Sequence, residues 1–293
     1  MNQGYIFSKE NNREYLYYLA FIPLIIYGLY KNAYLLIENN YIKFIDGYKI
    51  ILFPLVAGLI GLCLNKFIKK HKTELPIIGI ILGLCAPFNI SMIIYLLMVT
   101  IVLVAITFIP NKYRINECAL LIVVLLIINH FNHNVMIFNP MELTNMYHFT
   151  LLDLFFGRGP SFLFTSSIFW LLISYFILTN VRIYKKNIFP IAILTFSLLS
   201  LGYMFVTKEY NESIKLYLNG TTFFSFIMLA PINESSPSIK LEIIIYSILI
   251  AVLSFLFVFI IKAHSGAIIS VLILSVIYRI YFIIRQKIFF KNR

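Results

Sequence analysis

The sequence predicts an all-α integral membrane protein with about ten transmembrane helices, arranged as two inverted five-helix repeats that each contain one short, discontinuous helix. Three observations lead to this prediction. Of the 293 residues, 61% are hydrophobic and only 12% are charged, with a mean hydropathy of +0.90. Long apolar runs recur from one end of the chain to the other. Two of these runs are short and end in the same four-residue pattern.

The low charged fraction indicates that most of the outer surface faces lipid. A soluble domain usually carries about a quarter charged residues, because it needs a polar surface. A run of about twenty apolar residues is long enough to cross a hydrocarbon core of about 30 Å. The candidate spans are Tyr15–Ile37, Tyr48–Leu64, Pro76–Ala86, Ile90–Ile109, Glu117–Phe138, Phe162–Leu178, Ile188–Val206, Gly220–Ala230, Leu241–Ile261 and Gly266–Ile284.

The third span and the eighth span are the short ones. Eleven residues of α-helix extend only about 16 Å, which is half of a bilayer. The first short span closes with Ala-Pro-Phe-Asn, ending at Asn89, and the second closes with Ala-Pro-Ile-Asn, ending at Asn233. The two patterns lie 144 positions apart (230 − 86), close to half of the chain. Each half therefore reads long, long, short, long, long.

Five crossings per half is an odd number, so the second half must be inverted relative to the first. Inverted repeats with discontinuous helices place their binding sites near the middle of the bilayer. We expect the first repeat in residues 1–138, a central extracytoplasmic loop in residues 139–161, and the second repeat in residues 162–293.

The distribution of basic residues indicates the orientation. Lysine and arginine concentrate in alternate connections, as the positive-inside rule requires of cytoplasmic segments. This pattern predicts a multi-pass protein of the plasma membrane with both termini in the cytoplasm. Ten crossings are preferred over re-entrant short helices, because re-entrant helices would place one basic cluster outside. The basic residues that this orientation places on the cytoplasmic side are Lys66, Lys69, Lys70, Lys72, Lys112, Arg114, Arg182, Lys185, Lys186, Arg285, Lys287, Lys291 and Arg293.

Several function classes are not expected. The net charge of +12 is spread between apolar runs, so it indicates topology and contact with lipid headgroups, and nucleic acid is not an expected partner. The three cysteines lie in or beside apolar runs and form no CxxC motif. His130 and His133 have no third potential metal ligand nearby in sequence. We therefore predict no metal site. The sequence contains no nucleotide-binding Gly-rich loop, no HExxH motif and no nucleophile elbow, so no catalytic residue is predicted.

The two proline breaks mark the expected polar centre. Proline ends a helix and leaves backbone groups unpaired, and such groups must be buried in protein or line a polar cavity. Asn89 and Asn233 are therefore candidate binding residues, or else they satisfy the broken backbone. The stretch before the second short helix adds Gly220, Thr221, Thr222 and Ser225 as candidates, because a helix N-terminus attracts anions. The alternative is that Asn219 or the threonines merely cap the helix.

Several segments, in this order, resemble one family of redox-driven ion pumps. The segments are REYLYYLAFIPLIIYGLYKNAYLL from Arg13, LGLCAPFN, FNPMEL with Asn139, and GTTFFSFIMLAPINESSP from Gly220. They are similar to the RnfD/NqrB family, whose members are membrane components of the Rnf ferredoxin:NAD oxidoreductase and of the sodium-translocating NADH:quinone reductase. The resemblance spans nearly the whole chain. It implies a membrane subunit of an electron-transport complex, with further membrane subunits as partners and flavin as cofactor.

The chain departs from that family at the flavin anchor. The family carries FMN on a threonine in a Ser-Gly-Ala-Thr motif, but residues 139–161 contain no such motif. The Gly-Glu-Thr-Ser that follows the central loop in the family is reduced to FTSS at Phe164–Ser167. Covalent FMN is therefore not expected, and two possibilities stay open: a non-covalent flavin (FMN or riboflavin), or only an ion path between the halves. The competing hypothesis is an inverted-repeat transporter or channel for a small solute or ion, without electron transfer.

Overall fold

The computed structural model describes residues 15–39, 41–67, 74–88, 90–110, 113–131, 149–159, 161–181, 184–232 and 235–291. In these residues the regular structure is entirely helical. The predicted all-helical, membrane-protein-like architecture is thus confirmed for the described part of the chain.

The first half contains five helices, which fall on the five predicted spans. They are α1 (Tyr15–Glu38), α2 (Phe44–Phe67), α3 (Glu74–Leu84), α4 (Met92–Phe108) and α5 (Glu117–Phe131). The predicted fifth span ran on to Phe138, but residues 132–148 lie outside the described residues.

The second half contains the remaining helices, including two short ones that were not predicted, α6 and α9. The helices are α6 (Leu151–Phe156), α7 (Ile168–Leu178), α8 (Ile188–Thr207), α9 (Tyr210–Tyr217), α10 (Gly220–Phe224, continued by a π-helical turn at Ser225–Leu229), α11 (Lys240–Ile260) and α12 (Gly266–Lys291).

The sixth predicted span begins later than expected. The sequence predicts a helix from Phe162, whereas α7 starts at Ile168 with the Ser167 side chain as its cap. Residues 161–167 are not helical, although every one of them is buried. An apolar non-helical segment that is buried inside the protein has the same hydropathy as a helix start, which explains the difference.

Five helices of the described chain are long and apolar enough to cross a membrane: α1, α2, α8, α11 and α12. The apolar helices α3, α4, α5 and α7 are shorter. Large apolar side chains cover the outer faces of the long helices, with Leu194, Phe205 and Ile245 among them. Exposed apolar surface on this scale is not typical of a soluble monomer. The helices therefore associate with a lipid bilayer.

The two short helices that the proline motifs predicted, α3 and α10, lie inside the bundle. From Gly220 to Pro231 every residue is buried, and so is nearly every residue from Leu75 to Pro87. The structure thus meets the requirement that a broken helix be surrounded by protein. Asn89 and Asn233, which follow these breaks in sequence, lie outside the described residues.

Helix α3 is enclosed mainly by α2, through close contact of the two backbones. A Cβ atom added at Gly83 would overlap Pro54 of α2, and one added at Gly79 would overlap the Ala57 carbonyl oxygen. Small residues at four-residue spacing allow this approach between helices in lipid. The Tyr95 hydroxyl of α4 also donates a hydrogen bond to the Leu82 carbonyl oxygen at 2.5 Å.

We expect Gly83→Ala to destabilise the protein by about 1–3 kcal/mol, because the added methyl group must push α2 and α3 apart. Gly202→Ala is the matched control, since a Cβ atom at Gly202 in α8 meets nothing within 4 Å. That control should be neutral or stabilising by up to about 1 kcal/mol. Thermal unfolding in detergent measures both. Equal unfolding temperatures for the two variants would contradict the packing argument.

Candidate functional site

The central structural feature is the buried segment Ser161–Ser167, here called the connector, which links the central region of the chain to α7. Its backbone pairs with the end of α3. The Leu163 amide donates to the Ala86 carbonyl oxygen at 3.3 Å, and the Phe164 amide donates to the Leu84 carbonyl oxygen at 3.2 Å. The connector therefore satisfies carbonyl groups that the proline break in α3 releases.

Helix α1 contacts the connector through a π-helical turn at Tyr30–Tyr34. The Lys31 ammonium group donates to the Gly159 carbonyl oxygen at 3.0 Å and to Ser161 Oγ at 3.1 Å. The Asn32 amide group donates to the Leu163 carbonyl oxygen at 2.5 Å. Both side chains are buried. Isolated π-helical turns occur frequently at functional sites, since they re-aim side chains into a helix interface.

The N-terminus of α10 rests on the other side of the connector. A Cβ atom at Gly220 would overlap the Ser166 carbonyl oxygen, so only glycine fits at this contact. Asn219 caps the helix: its Oδ1 accepts a hydrogen bond from the Thr221 amide at 3.0 Å, and its Nδ2 donates to the His264 carbonyl oxygen at 2.7 Å. The capping role that the sequence left open for Asn219 is therefore confirmed.

The candidate residues of α10 differ in how their hydroxyl groups are used. Thr221 Oγ1 lies 2.6 Å from both Asn219 Oδ1 and the His264 carbonyl oxygen, and it donates to one of them. Ser225 donates to the Thr221 carbonyl oxygen at 2.7 Å. The Thr222 hydroxyl, in contrast, is fully buried and has no hydrogen-bond partner among the described residues.

Two hydroxyl groups of the connector are buried in the same way as that of Thr222. Thr165 Oγ1 and Ser166 Oγ are buried without a partner in the described part of the chain. Their residues provide the carbonyl oxygens that face Gly220, two positions before Thr222. A buried hydroxyl without a partner costs about 1–3 kcal/mol, and each one calls for an explanation such as a water, an ion or a ligand. The connector and α10 thus present three hydroxyls that can donate to, or accept from, a polar group.

The C-terminal end of α10 meets a second polar cluster. The Asn116 side-chain amide donates to the Leu229 carbonyl oxygen at 2.8 Å, and the Tyr184 hydroxyl donates to the Ile227 carbonyl oxygen at 2.9 Å. The Leu229 carbonyl oxygen also accepts a hydrogen bond from the Ile232 amide, so the two side chains add to the backbone bonds at this end of α10. For Asn233 the sequence left open whether it binds a ligand or satisfies the broken backbone, and it did not identify Asn116 and Tyr184, which are distant in sequence.

Three buried charges lie beside this end of α10. Arg114 Nε and Glu117 Oε1 form an ion pair at 2.6 Å, and both side chains are almost completely buried. Arg279 of α12 donates from Nε to the Arg114 carbonyl oxygen at 2.7 Å. Burying charges is costly unless they are paired and hydrogen-bonded. The sequence placed Glu117 at a helix start and Arg279 within the last span, but it did not predict that they would share one cluster.

The remaining predicted residues are placed as follows. The structure brings Gly220, Thr221, Thr222 and Ser225 together at α10, whereas Asn89, Asn139 and Asn233 lie outside the described residues. Outside this site, Arg158 Nη1 and Asp153 Oδ1 form a surface ion pair at 3.1 Å. A hydrogen bond from Thr150, together with the Arg158 guanidinium, holds the pKa of Asp153 below its usual value. The described residues include no cluster of three or more potential metal ligands among His, Cys, Asp and Glu.

No protein-family model matches this chain, and no curated protein matches it. The resemblance to the membrane components of the Rnf and NADH:quinone reductase complexes therefore stays a prediction. The geometry of the connector and α10 has to be interpreted from its own contacts.

We expect Asn32→Leu to destabilise the protein by about 1–3 kcal/mol, because the buried Leu163 carbonyl oxygen loses the donor held 2.5 Å away. Asn39→Ala is the control, since the Asn39 side chain makes a local hydrogen bond at the exposed end of α1. Thermal unfolding of both variants in detergent measures the difference. An Asn32 variant as stable as the Asn39 variant would show that α1 does not anchor the connector.

The stability of the protein should fall as the pH falls below about 6.5, the usual pKa of histidine. Burial lowers the pKa of His264, whose carbonyl oxygen accepts hydrogen bonds at the N-terminus of α10. The unfolded chain then takes up the proton first, so the stabilisation is complete above pH 6.5 and is lost on acidification. His264→Gln should reduce this dependence in the unfolding temperature. An identical pH profile in the variant would assign the effect to other groups.

Proposed function

We propose that this protein is the membrane subunit of an Rnf-like or Nqr-like redox-driven ion-translocating complex, with a flavin bound non-covalently. One observation carries the proposal. Two segments that bear the family resemblance are far apart in sequence, yet both contact the same buried connector. The Phe164 amide of the connector donates to the Leu84 carbonyl oxygen of LGLCAPFN, and the Ser166 carbonyl oxygen contacts Gly220 of GTTFFSF.

The proposed architecture is ten crossings in two inverted repeats, covering residues 1–138 and 162–293. Antiparallel contacts between equivalent helices support it. Ser174 of α7 donates to the Ala20 carbonyl oxygen of α1, whereas Leu163, before α7, is bonded by Asn32 near the end of α1. Equivalent helices of inverted repeats must run in opposite directions, and those of parallel repeats would run in the same direction.

The last helix of each half repeats this relation. The Asn116 amide, just before α5, donates to Ser275 Oγ of α12 at 3.1 Å, while Arg279, further along α12, bonds to Arg114, earlier in the chain. The segment that leads into α5 therefore runs antiparallel to α12, the last helix of the other half. The basic connections favour a plasma-membrane protein with both termini in the cytoplasm.

The hydroxyls of the connector and α10 that have no partner among the described residues match the polar edge of a flavin in hydrogen-bonding type. Thr165, Ser166 and Thr222 offer donors and acceptors of the kind that the carbonyl and N–H edge of a flavin ring requires. A bound flavin supplies the capacity to pass electrons singly or in pairs. Gly220, Thr221 and Ser225 would position Thr222, and Asn89, Asn139 and Asn233 belong to the proposed site through their motifs.

The purified protein, extracted with its native complex, should show a flavin absorption spectrum. Acid precipitation should release that flavin into the supernatant, since the chain lacks the Ser-Gly-Ala-Thr anchor. Thr222→Val should lower the flavin content several-fold without loss of folded protein. Ser247→Ala is the matched control, because the buried Ser247 hydroxyl bonds only within α11, to the Ile243 carbonyl oxygen.

Three outcomes would contradict parts of the proposal. Flavin that stays in the acid pellet would overturn non-covalent binding. Equal flavin loss in the Thr222 and Ser247 variants would move the site elsewhere. A chain that purifies without flavin and without redox subunits would favour the second candidate below.

The second candidate is a transporter or channel for a small ion or solute. It is favoured by the same buried hydroxyls, which suit a hydrated ion as well as a flavin edge, at a discontinuous helix where such sites occur. Solute flux in proteoliposomes that is unchanged by reductant and reduced by Thr222→Val would support it. Flux that requires reductant would return the assignment to the redox-driven pump.

A further inference from the structure

A groove of about 340 Å³ opens between α11 and α12 on the lipid-facing side of the bundle. Its volume lies within the range of small-molecule sites, about 300–1,000 Å³. Its walls are almost entirely apolar, with Leu241, Ile245 and Leu249 on α11 and Ile277 on α12. These side chains are largely exposed, so the groove is accessible from the bilayer.

Polar groups occur at one end of the groove only. Glu242 Oε1 accepts a hydrogen bond from Arg285 Nη1 at 2.6 Å, and Glu242 Oε2 accepts one from the Tyr278 hydroxyl at 3.3 Å. The Arg285 side chain is about half exposed beyond this pair. Lys240, the first residue of α11, is exposed at the same end of the helix. This end carries more positive than negative charge.

Tyr246 lies one helical turn deeper along the groove wall. Its side chain is 4% exposed, and its hydroxyl has no hydrogen-bond partner among the described residues. Four residues of α-helix separate it from Glu242, a rise of about 6 Å. The groove therefore offers a positive rim followed by an apolar channel.

We propose that this groove binds one anionic glycerophospholipid. The phosphate lies at Arg285 and Lys240, and one acyl chain follows the apolar channel. The order of chemical groups in such a lipid matches the order along the groove. The choice of an anionic lipid rests on the charge at the rim, since basic residues close to an anionic headgroup are attracted to it.

Native mass spectrometry of the full chain in detergent tests this lipid site, with phosphatidylglycerol and phosphatidylcholine of identical acyl chains as probes. Phosphatidylglycerol should be retained more tightly. Arg285→Gln should weaken its binding about fivefold and leave phosphatidylcholine unchanged. Lys262→Gln is the matched control, because Lys262 is an exposed lysine at the opposite end of α11, paired with Glu212.

Glu242→Gln distinguishes a lipid site from a merely structural ion pair. Removing the carboxylate leaves Arg285 with its full charge, so phosphatidylglycerol should bind more tightly to this variant. Leu249→Trp should fill the channel and abolish retention of both lipids, whereas Leu194→Trp, on the exposed face of α8, should not.

Equal binding of the two lipids, or equal weakening by Arg285→Gln and Lys262→Gln, would overturn the proposal. Efficient disulfide cross-linking between two copies that carry Ile277→Cys, with displacement of lipid, would assign the groove to a second copy of the chain and also overturn it. None of these outcomes depends on flavin or on ion transport.

Discussion

The structure depends on one constraint, which is that a short helix inside a bilayer must have all of its broken backbone groups satisfied by protein. Lipid provides no water to bond them. Helices α3 and α10 are each about half as long as a bilayer is thick, and both are buried by the elements around them. The carbonyl groups at the end of α3 require hydrogen-bond donors, and the Leu163 and Phe164 amides of the connector supply them. The placement of α1 follows in turn, since Asn32 satisfies the Leu163 carbonyl oxygen on the outer side of the connector.

Apart from the short helices α6 and α9, the positions of the described helices could be predicted from the sequence, because the length of an apolar run and the proline motifs depend only on local residues. The start of α7 could not. The stretch from Phe162 to Phe164 is as apolar as a helix, but it forms a turn whose amides pair with the carbonyl oxygens of Leu84 and Ala86. Lys31 was also beyond prediction, since its burial depends on Gly159 and Ser161, about 130 positions away.

Part of the candidate site could be predicted from the sequence, because some of its residues belong to a local sequence pattern. Thr221, Thr222 and Ser225 were found because glycine and hydroxyl residues stood at the start of a short helix. Their different roles come from tertiary contacts: Thr221 is bonded through Asn219 and His264, whereas Thr222 is left without a described partner. The connector residues Thr165 and Ser166 carried a signal only as the remnant of a family motif. The Arg114 and Arg279 cluster carried none, since the two residues come from different halves.

The two halves bury their short helices by different means, and this difference bears on where the chemistry takes place. Helix α3 is enclosed by close glycine contacts with α2, and this packing leaves little space and few polar groups between the two helices. Helix α10 is enclosed by side-chain hydrogen bonds from Asn116, Tyr184 and Asn219, and near its N-terminal end the hydroxyls of Thr222 and of the connector residues Thr165 and Ser166 have no partner among the described residues. Close backbone packing stabilises without offering a ligand site, whereas a polar network can exchange partners when an ion or cofactor enters. The second half is therefore the better candidate for the functional half, with the first acting as its rigid support.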